Sequence, residues 1–268
     1  MPTEKSPSPR MMSGQLTVMT IMVGVVPLIC LGTLLSLFYD SAYREKTRAL
    51  LGEQVLRNAQ SIDAFLDEKM ANLRQQAAMA DIDDMTDPAR LRDLLFGLQN
   101  AYQGVFTGLE LIDASGRTVA RAGGGAVRTD HSGEPWFEQA INSPQHVSGL
   151  GSRQTGVALS VRLAAAGDLW LLRAHLDPRL AEDKSRAYHP GGRGGAFILD
   201  RDGNGPDRED GKPAPRETLR LLAGQVFPEG RPVVLEAADG NGETQWYACA
   251  PIRSAGGVLV FHQPRTEL

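Results

Sequence analysis

The sequence predicts an α+β chain: an N-terminal transmembrane helix, a long stalk helix, and two tandem modules, each built on a small antiparallel sheet. Three observations carry this reading. Residues 16–39 run 24 positions without a charge. Apolar residues then recur at helical spacing between Val55 and Ala77. Beyond Asp81, short alternating runs are separated by turn residues, and the order strand, turn, helix, further strands occurs twice.

The apolar run reads LTVMTIMVGVVPLICLGTLLSLFY. A bilayer core needs about 20 apolar residues, and the glycines and Pro27 inside the run are tolerated in spanning helices. A cleaved signal peptide is the rival reading. Its apolar region should be only about 7–15 residues long and end in small residues, whereas this run is longer and continues into FYDSAYREKTR. Charge does not orient the helix. Lys5 and Arg10 stand against Glu4 on one flank, and Arg44, Lys46 and Arg48 stand against Asp40 and Glu45 on the other. The leader, 1–15, is expected in the cytoplasm because a short Ser/Pro stretch has no room for a domain.

Residues 40–80 form the stalk. Val55, Ala59, Ile62, Leu66, Met70, Leu73 and Ala77 lie on one helical face at heptad-like spacing. That face is open to three uses: a stalk, a dimer seam, or packing against the chain's own domain. The pattern breaks at 81–87, and Pro88 sits where a helix can start, with Leu91, Leu94, Leu95 and Leu98 along it. A strand at 107–112 meets its hairpin partner at 118–122 through the turn Asp113-Ala-Ser-Gly116. A short helix is expected at 136–141, then strands near 146–148, 157–163 and 169–175. The second round has strands at 196–199, 233–237, 243–251 and 258–262 and a helix at 217–226. The first module spans 81–187 and the second 188–268.

The chain has 268 residues, 28 basic and 32 acidic, for a net charge of −4. This balance offers nothing to nucleic acid, which is not an expected partner. Cys30 lies in the apolar run and Cys249 in the second module, so no disulfide is expected and Cys249 reads as a small core residue. The glycine clusters at 123–125 and 191–195 lack the lysine and serine of a phosphate loop. Asp200, Asp202, Asn204 and Gly205 match the opening of a calcium loop, but its seventh position is Pro206 and its twelfth is Gly211 in place of glutamate. A polar turn accounts for them better. The five histidines lack metal-ligand spacing. No catalytic residues, metal site or cofactor are expected, and the chain is not read as an enzyme.

Residues 109–116 (LELIDASG), 131–140 (HSGEPWFEQA) and the strand pair at 244–264 ending in FHQP resemble the double Cache sensor region of bacterial chemoreceptors and sensor histidine kinases. The resemblance covers about 16–265. It implies a membrane-distal and a membrane-proximal PAS-like module in the periplasm, on a single-pass anchor in the inner membrane. It also implies a small-molecule ligand in the distal module. Kinase or receptor output is expected outside these 268 residues. A histidine kinase parent is the first expectation. A chemoreceptor, or a non-catalytic interaction and dimerisation module, is the alternative. A homodimer through the stalk helix is the expected partner state.

In relatives that bind amino acids, the distal pocket resembles an Arg-x-Trp-Tyr segment with an Asp on a later strand. The matching positions here are Glu134, Trp136, Phe137 and His175, so only the tryptophan is kept. An α-amino acid needs an anionic partner for its ammonium and donors for its carboxylate, and this pattern argues against that ligand class. The candidate ligand-binding residues are Trp136, His131, Arg153, Arg162 and His175, with an anion as the candidate ligand. Trp136 reads as a pocket wall or as a core aromatic. The arginines could receive a carboxylate, and His175 could equally be a structural histidine.

Overall fold

The computed structural model describes residues 9–124, 128–150, 156–165, 167–177, 194–200, 205, 216–239 and 241–264; the side chains of 9–20, 36, 37, 39–44, 216 and 217 lie outside the description. The chain divides into two compact units, Met1–Leu50 and Leu51–Leu268. Helix α1 covers Pro9–Met79. In the first unit its apolar side chains from Ile21 to Leu35 and Phe38 are exposed. Among the described residues no helix is long and apolar enough to cross a membrane. Of the expected span 16–39, side chains are described only for 21–35 and 38, a run shorter than the about 20 residues a crossing takes.

In the second unit the helical stripe is wholly buried. Val55, Ala59, Ile62, Leu66, Met70, Leu73 and Ala77 share one core with residues of both sheets. Of the three uses open to this face, packing on the chain's own domain is the one realised. The stripe is therefore spent within the chain and does not present the apolar seam expected for a dimer.

Two aspartates account for the break after α1. Asp81 caps α2 (Ile82–Thr86) by accepting from the Asp83 amide, and Asp87 caps α3 (Pro88–Ala101) by accepting from that of Ala89. The first sheet contains β1 (Phe106–Asp113), β2 (Thr118–Gly123), β3 (Gln145–Ser148), β4 (Ala158–Ala165) and β5 (Asp168–Leu176), in the order β2-β1-β5-β4-β3. Helix α4 (Pro135–Ile141) is inserted between β2 and β3. The second sheet has β6 (Gly195–Leu199), β7 (Val233–Ala238), β8 (Thr244–Ile252) and β9 (Gly257–Pro264), in the order β6-β9-β8-β7, with α5 (Arg216–Ala223) following β6. Every pairing is antiparallel. The boundary expected between 187 and 188 lies outside the described residues, as do Asp202 and Asn204 of the calcium-like turn.

Strand alternation sorts the two faces of each sheet. Leu109, Leu111, Leu159, Val161, Leu172 and Ala174 join the core that contains α1. On the opposite face of β1 and β5, Ile112 and Leu171 pack with Phe137 and Ala140 of α4. In the second sheet Cys249 is buried with Leu222 of α5 and Tyr247, and burial pushes its thiol up to about 12. Both cysteines are free.

The turn between β1 and β2 has a specific requirement. Asp113 Oδ1 accepts from the Ser115 and Arg117 amides at 2.9 and 3.0 Å, and Gly116 adopts φ +89°. A Cβ there would stand 2.7 Å from the Ser132 amide nitrogen. Gly116→Ala combines backbone strain with a backbone clash, and a loss of about 1–3 kcal/mol is expected. Urea denaturation measures it, and an unchanged midpoint would refute the turn's role.

Candidate functional site

The face of the first sheet under α4 carries charge where alternation alone would place apolar residues. Glu110, at the centre of β1, lies opposite Arg121 of β2 and Arg173 of β5. Arg173 in turn lies opposite Ser160 of β4. His175, two residues along β5, shares that face. Glu110, Arg173 and Ser160 are 2%, 7% and 1% exposed. Buried charges are costly unless paired, so these groups define a site by their environment as well as their chemistry.

Glu110 is the centre of the pairing. Its Oε1 lies 2.7 Å from Arg121 Nη2, an ion pair without hydrogen-bond alignment. Its Oε2 faces His175 Nε2 at 3.4 Å and His131 Nε2 at 3.9 Å. The His175 distance is at the outer limit for a hydrogen bond, and the His131 distance lies beyond it. Burial alone would raise the Glu110 pKa. His175, Arg121 and Arg173 outweigh it and hold the carboxyl below its usual 4.5. His131 is pushed below its usual 6.5 by burial, partly offset by Glu110. Burial lowers Arg173 to about 10, against the pull of Glu110. At neutral pH Glu110 is therefore a carboxylate and Arg173 a guanidinium.

Helix α4 and the loop before it close the site. Pro135 starts the helix, which places Trp136 over the sheet. The Arg173 guanidinium carbon lies 3.4 Å from the Trp136 ring centre, a cation–π stack. His131 meets the edge of the same ring at 5.1 Å, and its Nε2 lies 3.2 Å from Thr118 Oγ1. Among the described residues five polar atoms of the site remain without a hydrogen-bond partner: Glu110 Oε1, Arg173 Nε and Nη1, Ser160 Oγ and His175 Nε2. Each such buried group costs about 1–3 kcal/mol.

Trp136, His131 and His175 are thus brought together around Glu110. Arg162 is placed on β4, where its Nη1 donates to the Ile141 carbonyl at 3.2 Å and its amide to that of Pro144. It fastens the end of α4 to the sheet. Arg153 lies outside the described residues. Glu134 is ion-paired with Arg128. Sequence reasoning missed Glu110, Arg173 and Ser160. The available signal was a charge inside an apolar strand, as in GLELID and WLLRAHL.

Among the described residues no cluster of His, Cys, Asp or Glu is arranged to hold a metal ion, and the guanidiniums beside Glu110 disfavour a cation. A separate groove of about 410 Å³ is lined by residues including Glu138, Asn142, His146 and Ser254. None of its lining residues is buried, and it contains none of the charged cluster.

No family model and no curated protein matches the sequence. Solved structures do match. The extracellular domain of mmHK1S-Z3, described as a histidine kinase, is 13% identical with a TM-score of 0.61, over 84% of this chain and 95% of that one. The ligand-binding domain of the Pseudomonas fluorescens chemoreceptor CtaA, solved with L-isoleucine, is 18% identical with a TM-score of 0.59, over 85% and 96%. That of the Pseudomonas aeruginosa PAO1 amino acid chemoreceptor PctC, solved with GABA, is 18% identical with a TM-score of 0.56, over 81% and 99%. At such identities the likeness speaks to architecture: the chain has the double Cache fold, two tandem PAS-like modules, of extracytoplasmic sensor regions.

Proposed function

We propose that this chain is the membrane-anchored, extracytoplasmic input region of a signal-transduction protein, and that it binds a small molecule beneath α4. The observation that carries the reading is the buried cluster of Glu110, Arg173 and Ser160, with half-buried His175 beside it, and its unpartnered polar atoms. A fold that only needed a core would fill this face with apolar side chains. Trp136, His131 and His175 are the contacts assigned from the sequence that stand in the cluster. Arg162 acts through α4, and Arg153 remains a candidate contact from the sequence alone.

The anchor reading rests on the uncharged run 16–39 and on the exposed apolar side chains from Ile21 to Leu35. An apolar surface of this kind fits lipid, with the modules in the periplasm. The similar structures include both kinase and chemoreceptor domains, so the reading is the input region common to both classes, with no preference for a kinase. An interaction module would show an apolar outer patch, yet beyond Pro135 at its first position the exposed residues of α4 are Glu138 and Gln139, both polar. With the stalk stripe buried, a homodimer through the stalk helix would use the remaining, largely polar face of α1.

The test is calorimetry of the full chain in lipid nanodiscs against a panel of small carboxylates, amino acids and amines. Saturable binding by one compound, weakened by Trp136→Ala, is expected. A panel with no binder would sink the proposal.

A further inference from the structure

We infer that the site selects an ammonium-free anion, a carboxylate or comparable oxyanion, and disfavours α-amino and other zwitterionic acids; this rests on the ligand site proposed above. The first ground is the inventory of unpartnered donors; the unpartnered acceptor of the site, Glu110 Oε1, already faces Arg121 Nη2 at 2.7 Å. Arg173 Nε and Nη1 can only donate, and Ser160 Oγ stands beside them across the β4–β5 register. An incoming group satisfies the guanidinium only by bringing acceptors, and a carboxylate or phosphate oxygen pair matches its fork.

The second ground is that both places suited to an ammonium are already occupied by the chain's own groups. The carboxylate of Glu110 is flanked by Arg121 at 2.7 Å and by His175 at 3.4 Å. The ring face of Trp136, the natural seat for a cation, carries the Arg173 guanidinium at 3.4 Å. A ligand ammonium would therefore meet two guanidiniums with one shared carboxylate between them. Like-charge juxtaposition of this kind costs several kcal/mol. A simple anion, in contrast, balances the surplus guanidinium.

Matched pairs test the inference. The full chain in nanodiscs is titrated with butyrate against GABA, 4-methylpentanoate against L-leucine, and 3-methylpentanoate against L-isoleucine, with inorganic phosphate as a non-carboxylate anion. GABA, L-leucine and L-isoleucine are the ligands with which PctC and CtaA were solved. In at least one pair the ammonium-free acid should bind more than about ten-fold tighter than its amino partner, or phosphate should bind where the amino acids do not. Ser160→Ala removes one unpartnered hydroxyl without leaving a charge unpaired. It should weaken the anion several-fold while leaving the melting temperature of the free chain unchanged or raised. Amino acids that bind as tightly as their partners overturn the inference and leave the site proposal standing, as does a panel whose only binder is an amine. Silence from every pair, from phosphate and from the panel overturns both. Anion binding that Ser160→Ala leaves untouched overturns the placement of the anion at this cluster.

Discussion

Replacing Glu110 with alanine is expected to destabilise the second unit by about 3–5 kcal/mol. Glu110 is 2% exposed and Arg173 is 7% exposed, and the carboxylate is the counter-charge that the described structure provides for that guanidinium. Its removal leaves a buried cation whose other contact is the Trp136 ring. Arg121, with a side chain 23% exposed, can turn toward water and limit its share of the loss. Glu110→Gln keeps the shape and one carbonyl acceptor and should cost less, about 2–3 kcal/mol, because the buried Arg173 loses its counter-charge but keeps a polar neighbour. Urea denaturation of the full chain in nanodiscs measures both.

The pH profile separates charge from shape. The folded pKa of Glu110 is lowered from 4.5, so at acid pH the unfolded chain binds more protons than the folded one. Its contribution to stability is complete above 4.5 and is lost as pH falls through the lowered folded value. His131 is likewise lowered from 6.5. Below 6.5 the unfolded imidazole takes up a proton that the folded one resists, so stability again falls with falling pH. In Glu110→Gln the acid-range loss from Glu110 disappears. His131 loses the carboxylate that had been raising its pKa, so its own loss extends to lower pH. Unchanged stability, or an acid profile identical to that of the unaltered chain, would refute the electrostatic account of this site.

The sequence made the architecture readable because its signals are local. The spacing from Val55 to Ala77 identifies a buried face, Asp113-Ala-Ser-Gly116 identifies a hairpin turn, and Pro88 identifies a helix start. Spacing names a face without naming what covers it, which is why the stripe on α1 was open to dimer seam and domain core alike. The charged cluster was illegible for a related reason. Glu110 and Arg173 meet through pairing of β1 with β5, across β2, α4, β3 and β4. Alternation puts each on a face, but only the strand order makes them neighbours. Arg162 shows the same limit, since its partner is the end of α4 and its strand gives no hint of that.

The second large effect is expected at Asp63, where a single carboxylate joins α1 to the second sheet. Asp63 Oδ2 accepts from the Arg253 amide at 3.1 Å, and Oδ1 accepts from the Ser254 amide at 2.9 Å and the Ser254 hydroxyl at 2.7 Å. These donors lie in the turn between β8 and β9, two strands whose inner residues share the core with α1. Asp63→Ala removes three bonds to a charged acceptor at once, and a loss of about 2–3 kcal/mol is expected. Ser254→Ala removes one and should cost about 0.5–1.5 kcal/mol. The double variant should cost about as much as Asp63→Ala alone, because both changes act on one contact. Hydrogen exchange should quicken at the 253 and 254 amides. Anion binding should be unaffected, since the cluster around Glu110 is built on the first sheet. Additive losses from the two substitutions would show that the carboxylate is not holding this turn. Weakened anion binding in Asp63→Ala, with the fold intact, would show that α1 couples the two sheets energetically as well as packing against both.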